Sequence, residues 1–368
     1  AIWGAGSGNY GYGQSTTLAT VSTGGTVTAT QWADLVNRIT SIGNHTGVTI
    51  TSRTAPVAGN TALKPVVEES FTVDYTNVDS LIPKKDSNFV PFGNYSDLEN
   101  IIKSKIFYPA YISGPTGNGK STMVEQICAK HKRPLIRVNL NMMTDEDQLI
   151  GSKTLEDGNV EIVEGPVLIA MRTGCTLLLD EIDAGSANTL LCLQPVLEGK
   201  PYYFKLKNEM IVPAEGFNIM ATANTKGKGS DDGRYIGTNV LNEAFLERFA
   251  VTFNQEYPDA KVEVKIVQNL MKSFGVLDED FASNLVKWAD VVRQSFEQGA
   301  VGEIISTRRL VHIAKAYKIF GDRMKAIELC VSRFDTETKT AFLDLYTKVD
   351  AKVELQPEPV KQDVDIAF

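Results

Sequence analysis

The stretch SGPTGNGKST, Ser113 to Thr122, limits the folds open to this chain more than any other ten residues. Its core, Gly114–Ser121, fits the spacing GxxxxGK[ST]. Such a loop needs glycines so that backbone N–H groups can curl around phosphate oxygens. It also needs a helix behind it to present its positive end. The apolar run YPAYIS (108–113) predicts a strand before the loop, and Lys120 to Lys130 reads as a helix after it. The candidate phosphate-binding residues are Gly114, Pro115, Thr116, Gly117, Asn118, Gly119, Lys120, Ser121 and Thr122. Lys120 is placed to reach β- and γ-phosphates, and the Ser121 hydroxyl to hold Mg²⁺. A glycine-rich turn is the alternative, and what stands downstream decides between them.

Downstream, strands and helices alternate, the pattern of an α/β domain with a parallel sheet. PLIRVNL (134–140), TLLLDEI (176–182), FNIMATAN (217–224) and AVTFNQ (250–255) read as further strands, giving five with the first. Leu190, Leu191, Leu193, Val196 and Leu197 mark a helix between two of them. The third strand delivers Asp180 at its C-terminal end, where open α/β sheets bind ligand, as the expected Mg²⁺ partner. Glu181, the next residue, is placed to polarise a water. Asn224 closes the neighbouring strand, where an amide can orient that water. In LNEAFLERF, Arg248 ends a short helix at the domain edge, positioned to neutralise γ-phosphate charge in a neighbouring copy. In ISTRRL, Ser306 caps a helix whose first turn carries Arg308 and Arg309, and one of the two can reach the nucleotide.

Five segments follow. Residues 1–60 carry only Asp34, Arg38 and Arg53 as charges, with ten glycines and twelve threonines, and read as a flexible segment. One helix is expected in it, from Trp32, Leu35, Val36, Ile39 and Ile42, in a stretch similar to bacteriophage virion proteins. Residues 61–87 read as a linker, 88–257 as the α/β domain, 258–350 as a smaller all-α lid and 351–368 as a disordered tail. A net charge of -8 argues against a broad nucleic-acid footprint. Cys128, Cys175, Cys192 and Cys330 are scattered and form no CxxC pair, which speaks against zinc and for reduced thiols. The sequence has no apolar run of membrane-spanning length and no basic-then-apolar leader. It begins at Ala1, as a processed chain or a fragment would.

The ordered set of motifs resembles the AAA+ ATPases over roughly residues 88–348. EGPVLIAMRTGCTLLLDEID and GRYIGTNVLNEAFLERF resemble the MoxR-type branch, and within it the ATPase subunits of cobaltochelatase and their phage-encoded relatives. The resemblance implies a P-loop AAA+ domain on a parallel five-stranded sheet, a helical lid, and hydrolysis of ATP with Mg²⁺. It also implies roles as sensor 1 for Asn224, arginine finger for Arg248 and sensor 2 for Arg308. An insertion near 142–165 and a hairpin near 201–215 are expected. So is a homo-oligomeric ring, six copies in this branch, acting on a protein client, often one with a von Willebrand-type metal-binding domain. Glu247 stands where the branch usually has Asp, and residues 1–60 have no counterpart in the bacterial subunit. With the virion-like helix, that points to a phage origin and the host cytoplasm. Two rivals are a nucleic-acid-handling ATPase and a virion-associated protein. The first is disfavoured because the expected pore-side insertion carries Glu156, Asp157, Glu161 and Glu164 against Lys153.

Overall fold

The computed structural model describes residues 77–156, 159–229 and 237–353. The chain divides into two units, Ala1–Val73 and Asp74–Phe368, and every described residue belongs to the second. The helix expected around Trp32–Ile42 and the tail beyond Val353 lie outside the described residues.

The α/β part opens with α1 (Tyr95–Ser104), then β1 (Ala110–Ser113), α2 (Lys120–Lys130), β2 (Leu135–Asn139) and a short α3 (Glu146–Ile150). A hairpin of β3 (Gly151–Glu156) and β4 (Asn159–Glu164) precedes α4 (Pro166–Thr173) and β5 (Thr176–Asp180). Next come α5 (Ala187–Leu191), α6 (Gln194–Leu197), the hairpin β6 (Tyr202–Phe204)–β7 (Glu209–Ile211), and β8 (Asn218–Ala223). The short α7 (Glu243–Leu246) and β9 (Val251–Asn254) complete it. The single helix expected at 190–197 is thus two. Pro195, in the first turn of α6, has no N–H to carry α5 onward.

Five parallel strands lie in the order β2-β5-β8-β1-β9. The central strands β5, β8 and β1 are buried at every position, because alternating side chains meet a covered face on each side, whereas the edge strands β2 and β9 are partly exposed. Leu177 and Leu179 of β5, Ile219 and Ala221 of β8, and Tyr111 of β1 enter one core. Leu178, Met220, Ala110 and Ile112 point the other way, onto Met123, Val124 and Ile127 of α2 and Leu98 and Ile102 of α1. All five strands end on the same edge, and that edge carries the glycine-rich loop at 114–119.

Within the span read as linker, Val78 and Leu81 pack on the first core. The Gln126 amide of α2 accepts from Asp86 N (2.7 Å) and donates to Lys84 O (3.1 Å). The two hairpins fall where the insertion and the second hairpin were expected. They are tied together by Arg172 of α4, which contacts Glu164 (2.9 Å) and Glu209 (2.6 Å), while Lys207 reaches Glu164 (2.9 Å).

The lid has five helices: α8 (Ala260–Ser273), α9 (Glu279–Glu297), α10 (Thr307–Phe320), α11 (Arg323–Val331) and α12 (Thr336–Val349). Each starts on a side-chain cap, from Asp259, Asp278, Ser306, Asp322 and Asp335 in turn. Such a cap satisfies an orphan N–H and contributes about 0.5–2 kcal/mol. The lid has its own core, in which Trp288, Phe281, Phe342 and Tyr346 meet edge to face. Glu263 of α8 and Arg293 of α9 form a buried bidentate pair (2.8 and 2.7 Å). Ile305 O accepts from Arg293 Nε (2.8 Å), and Thr307 donates its hydroxyl to Glu263.

Candidate active site

The loop after β1 folds tightly because its glycines allow it. Gly114 has φ +151°, and a Cβ there would lie 2.0 Å from Gln255 O. Gly117 has φ +69°, and its Cβ would meet Ser306 Oγ at 2.7 Å. Asn118 is buried and donates to Gln255 O, which pins the loop to the end of β9. The first turn of α2 then faces the cleft with Gly119 as its cap residue.

Lys120 is nearly buried at the base of the loop. Its Nζ donates to Gly114 O (2.8 Å), Pro115 O (2.9 Å), Asn224 Oδ1 (3.3 Å) and Asn118 Oδ1 (3.4 Å). Burial pushes its pKa down to about 8, Asp183 and Asp180 oppose that, and Arg308 adds to it. Ser121 donates its hydroxyl to Asp180 Oδ1 at 2.6 Å. Asp180 also accepts from the Thr222 hydroxyl and from the Arg137 guanidinium. Burial alone would raise the Asp180 pKa. The Ser121 and Thr222 hydroxyls and the Arg137 charge outweigh it and hold the carboxyl below its ordinary value.

Glu181 is exposed to the cleft with φ +57°, left-handed backbone that a non-glycine residue rarely adopts. A 3-10 turn, Ile182–Ala184, follows it and holds this shape. Asp183 in that turn is fully buried. Its Oδ2 accepts from Asn224 N (3.0 Å), Thr225 N (2.9 Å) and Thr225 Oγ1 (2.9 Å). The acid-bearing turn and the Asn224 loop are therefore fixed to each other.

One cleft of about 280 Å³ gathers these groups. Thr116–Thr122, Arg137, Asn139, Asp180, Glu181, Thr222, Asn224 and Arg308 line it. Of the adjacent pair Arg308 and Arg309, Arg308 is the one that lines the cleft. Its backbone N donates to Gly117 O (3.0 Å). Arg309 sits among Arg333, Cys330 and Glu303 instead. Arg248 is not among the lining residues. Its Nε donates to Glu198 (2.9 Å) and its Nη1 to Ala244 O.

Four polar residues of the site carried no assigned role in the sequence: Arg137, Asn139, Thr222 and Asp183. Arg137 had a signal, a lone charge at the centre of the apolar run PLIRVNL. Thr222 had none, because a threonine in a strand is ordinary.

The geometry agrees with comparisons to known proteins. A family model for the AAA domain (dynein-related subfamily) matches residues 110–249. A second, for the CbbQ/NirQ/NorQ C-terminal region, matches 263–349, which is most of the lid. The aerobic cobaltochelatase subunit CobS of Sinorhizobium sp. is 30% identical over 269 residues, covering 70% of this chain and 81% of that one. An uncharacterized protein of Staphylococcus epidermidis is 33% identical over 213 residues, covering 55% and 75%. Among solved structures, a putative ATPase from Cytophaga hutchinsonii aligns over 77% of this chain and 94% of that chain, at 14% identity and a TM-score of 0.39. Among the described residues, no helix is long and apolar enough to cross a membrane. By its matches to these two family models and to CobS, the chain belongs to the AAA ATPase family, in which its dynein-related AAA domain is followed by a CbbQ/NirQ/NorQ C-terminal region.

Proposed function

We propose that the protein is a Mg²⁺-dependent ATPase that assembles as a ring, six copies being the expected number, and uses hydrolysis to remodel a protein partner. The convergence of Lys120, Ser121, Asp180, Glu181, Asn224 and Arg308 on one cleft supports this reading. A hydroxyl and a carboxylate oxygen stand side by side at Ser121 and Asp180. That is the hard-oxygen donor set a magnesium shared with phosphates takes. When bound, the ion neutralises charge on the phosphate oxygens. Lys120 holds the β- and γ-phosphates. Water attacks the γ-phosphorus as the bond to the β–γ bridging oxygen breaks, and Glu181 accepts the water's proton. The Asn224 amide orients the water, and Arg308 brings the lid's charge to the transferring group. Arg248, outside its own cleft, serves the nucleotide of the neighbouring copy.

A protein client is favoured by apolar side chains at the hairpins. On the first hairpin Leu155 is 76% exposed and Val160 64%; on the second Met210 is 55% exposed, and Val212 just past it 64%. The similarity to an aerobic cobaltochelatase subunit favours a role as the ATPase subunit of a cobalt or magnesium chelatase-like complex, and the branch resemblance puts a von Willebrand-type metal-binding domain on the client.

The test uses two variants. Glu181→Gln should bind ATP without turning it over, and Arg248→Ala should bind ATP yet be inactive alone. Mixed together, they form interfaces that pair an intact Glu181 with an intact Arg248, so part of the activity should return. Full turnover by a strictly monomeric preparation, or no recovery on mixing, would overturn the ring reading.

A further inference from the structure

Arg137 is used by none of the roles above, yet it touches the centre of the site. It sits on β2 opposite Leu178, and Asn139 two residues on is opposite Asp180. All three of its nitrogens are committed. Nε donates to Asn139 Oδ1 (3.2 Å), Nη1 to Glu125 Oε1 (2.8 Å) and Nη2 to Asp180 Oδ2. Glu125 lies on α2, one turn beyond Ser121, so β2, α2 and β5 hold the fork in one orientation.

Asp180 is therefore divided. Its Oδ1 takes the Ser121 and Thr222 hydroxyls, and its Oδ2 takes a guanidinium that is charged at any working pH. A divalent cation held by Ser121 and Asp180 must share that carboxylate with a positive charge a few ångströms away. Such repulsion is strong in a partly buried site. The negative charges of a triphosphate offset it. Glu125 would still anchor the fork were Asp180 to give up its contact with Arg137.

We propose that Arg137 is a positioning residue that makes admission of the metal conditional on nucleotide: it neutralises Asp180 until phosphates arrive, so the cation comes with the nucleotide and not before it. The inference rests on the reading of the cleft as a Mg²⁺–nucleotide site.

The experiment titrates Mn²⁺ into the full chain and follows the free-ion signal by electron paramagnetic resonance. Without nucleotide, Arg137→Gln should bind Mn²⁺ on the order of ten- to a hundredfold more tightly than wild type. Asp180→Asn added to it should abolish that gain, which locates the ion. Arg137→Lys should restore exclusion, a rescue that a purely structural role would not give. With a non-hydrolysable ATP analogue, wild type and Arg137→Gln should both bind Mn²⁺. Should the glutamine variant fold poorly, Arg137→Met keeps the aliphatic stem and gives the same readout. Equal Mn²⁺ affinity of wild type and variant without nucleotide overturns the proposal, as does a gain that survives Asp180→Asn. Binding of a fluorescent ATP analogue in EDTA is read separately. Its failure in wild type would sink the nucleotide reading and leave the Mn²⁺ comparison interpretable on its own.

Discussion

The buried pair Glu263–Arg293 offers the most exposed test of the lid's architecture. Glu263 is 1% exposed and Arg293 7%. Arg293→Met fills much the same volume but leaves the Glu263 carboxylate buried, with only the Thr307 hydroxyl beside it. An uncompensated buried charge of this kind costs about 3–5 kcal/mol. Glu263→Leu strands the guanidinium instead, with Ile305 O and the Tyr257 ring, 4.1 Å away, as its remaining company. Removing both charges removes the penalty, so the double variant should be less destabilised than either single one. Urea unfolding followed through Trp288 reports the lid once Trp3 and Trp32 are replaced by Phe. The damage should also reach the cleft. Thr307 directly precedes Arg308, and the Tyr257 hydroxyl donates to Thr116 O (2.8 Å). ATP affinity should therefore fall in the single variants and partly recover in the double one. A cost below about 1 kcal/mol for Arg293→Met, or single costs that simply add, would refute the reasoning.

Other outcomes follow from particular contacts. Lys120→Ala should abolish ATP binding by calorimetry, since the phosphates lose their fixed cation. Gly117→Ala should cost about 1–3 kcal/mol by forcing a Cβ against Ser306. It should also loosen residues 306–310 in hydrogen exchange, and unchanged exchange there would contradict the close approach. Arg308→Ala should lower ATP turnover, whereas Arg309→Ala should change it by no more than about twofold. In the lid, burial disfavours the charged forms of Asp278 and Asp350. Donors outweigh it: the Phe281 N–H for Asp278, the Tyr346 hydroxyl and Lys352 N–H for Asp350, and Arg323 for both. With folded values depressed, their contribution is present above the ordinary carboxylate pKa and is lost as pH falls through the lowered values. Arg323→Met should move the acid-unfolding midpoint, followed by circular dichroism, to higher pH.

Much of the candidate cleft was legible because a glycine-rich loop between a strand and a helix obeys strict local rules. The span Lys120–Lys130 is the helix the sequence predicts, and Asp180 and Asn224 fall at strand ends because apolar runs in a doubly covered sheet mark their own limits. The residues alone did not decide between Arg308 and Arg309, and only the family resemblance named Arg308. The choice depends on the phase at which α10 docks, and that is set by the contact of Ser306 and Arg308 with Gly117, over 180 residues away in the chain. The same holds for Arg137. Which acid it meets is decided by the register of β2 on β5, and no local pattern encodes that. The break at Pro195 was available to a stricter reading, since a proline cannot continue the hydrogen bonds of the helix before it.

The parallel sheet has a consequence for which changes of length the gene can tolerate. Each strand end places one part of the cleft or of its support: Arg137 and Asn139 on β2, Asp180 on β5, Asn224 after β8, the glycine-rich loop after β1, and after β9 Gln255, whose carbonyl holds Asn118 of that loop. One residue inserted into β8 would advance Asn224 by about 3.3 Å and turn the strand's side chains to the opposite face. Both the core and the cleft would be lost together. The turn between β6 and β7 obeys no such constraint, because no residue of the cleft depends on its length. Insertions and deletions should therefore accumulate at that turn and be purged from the five strands.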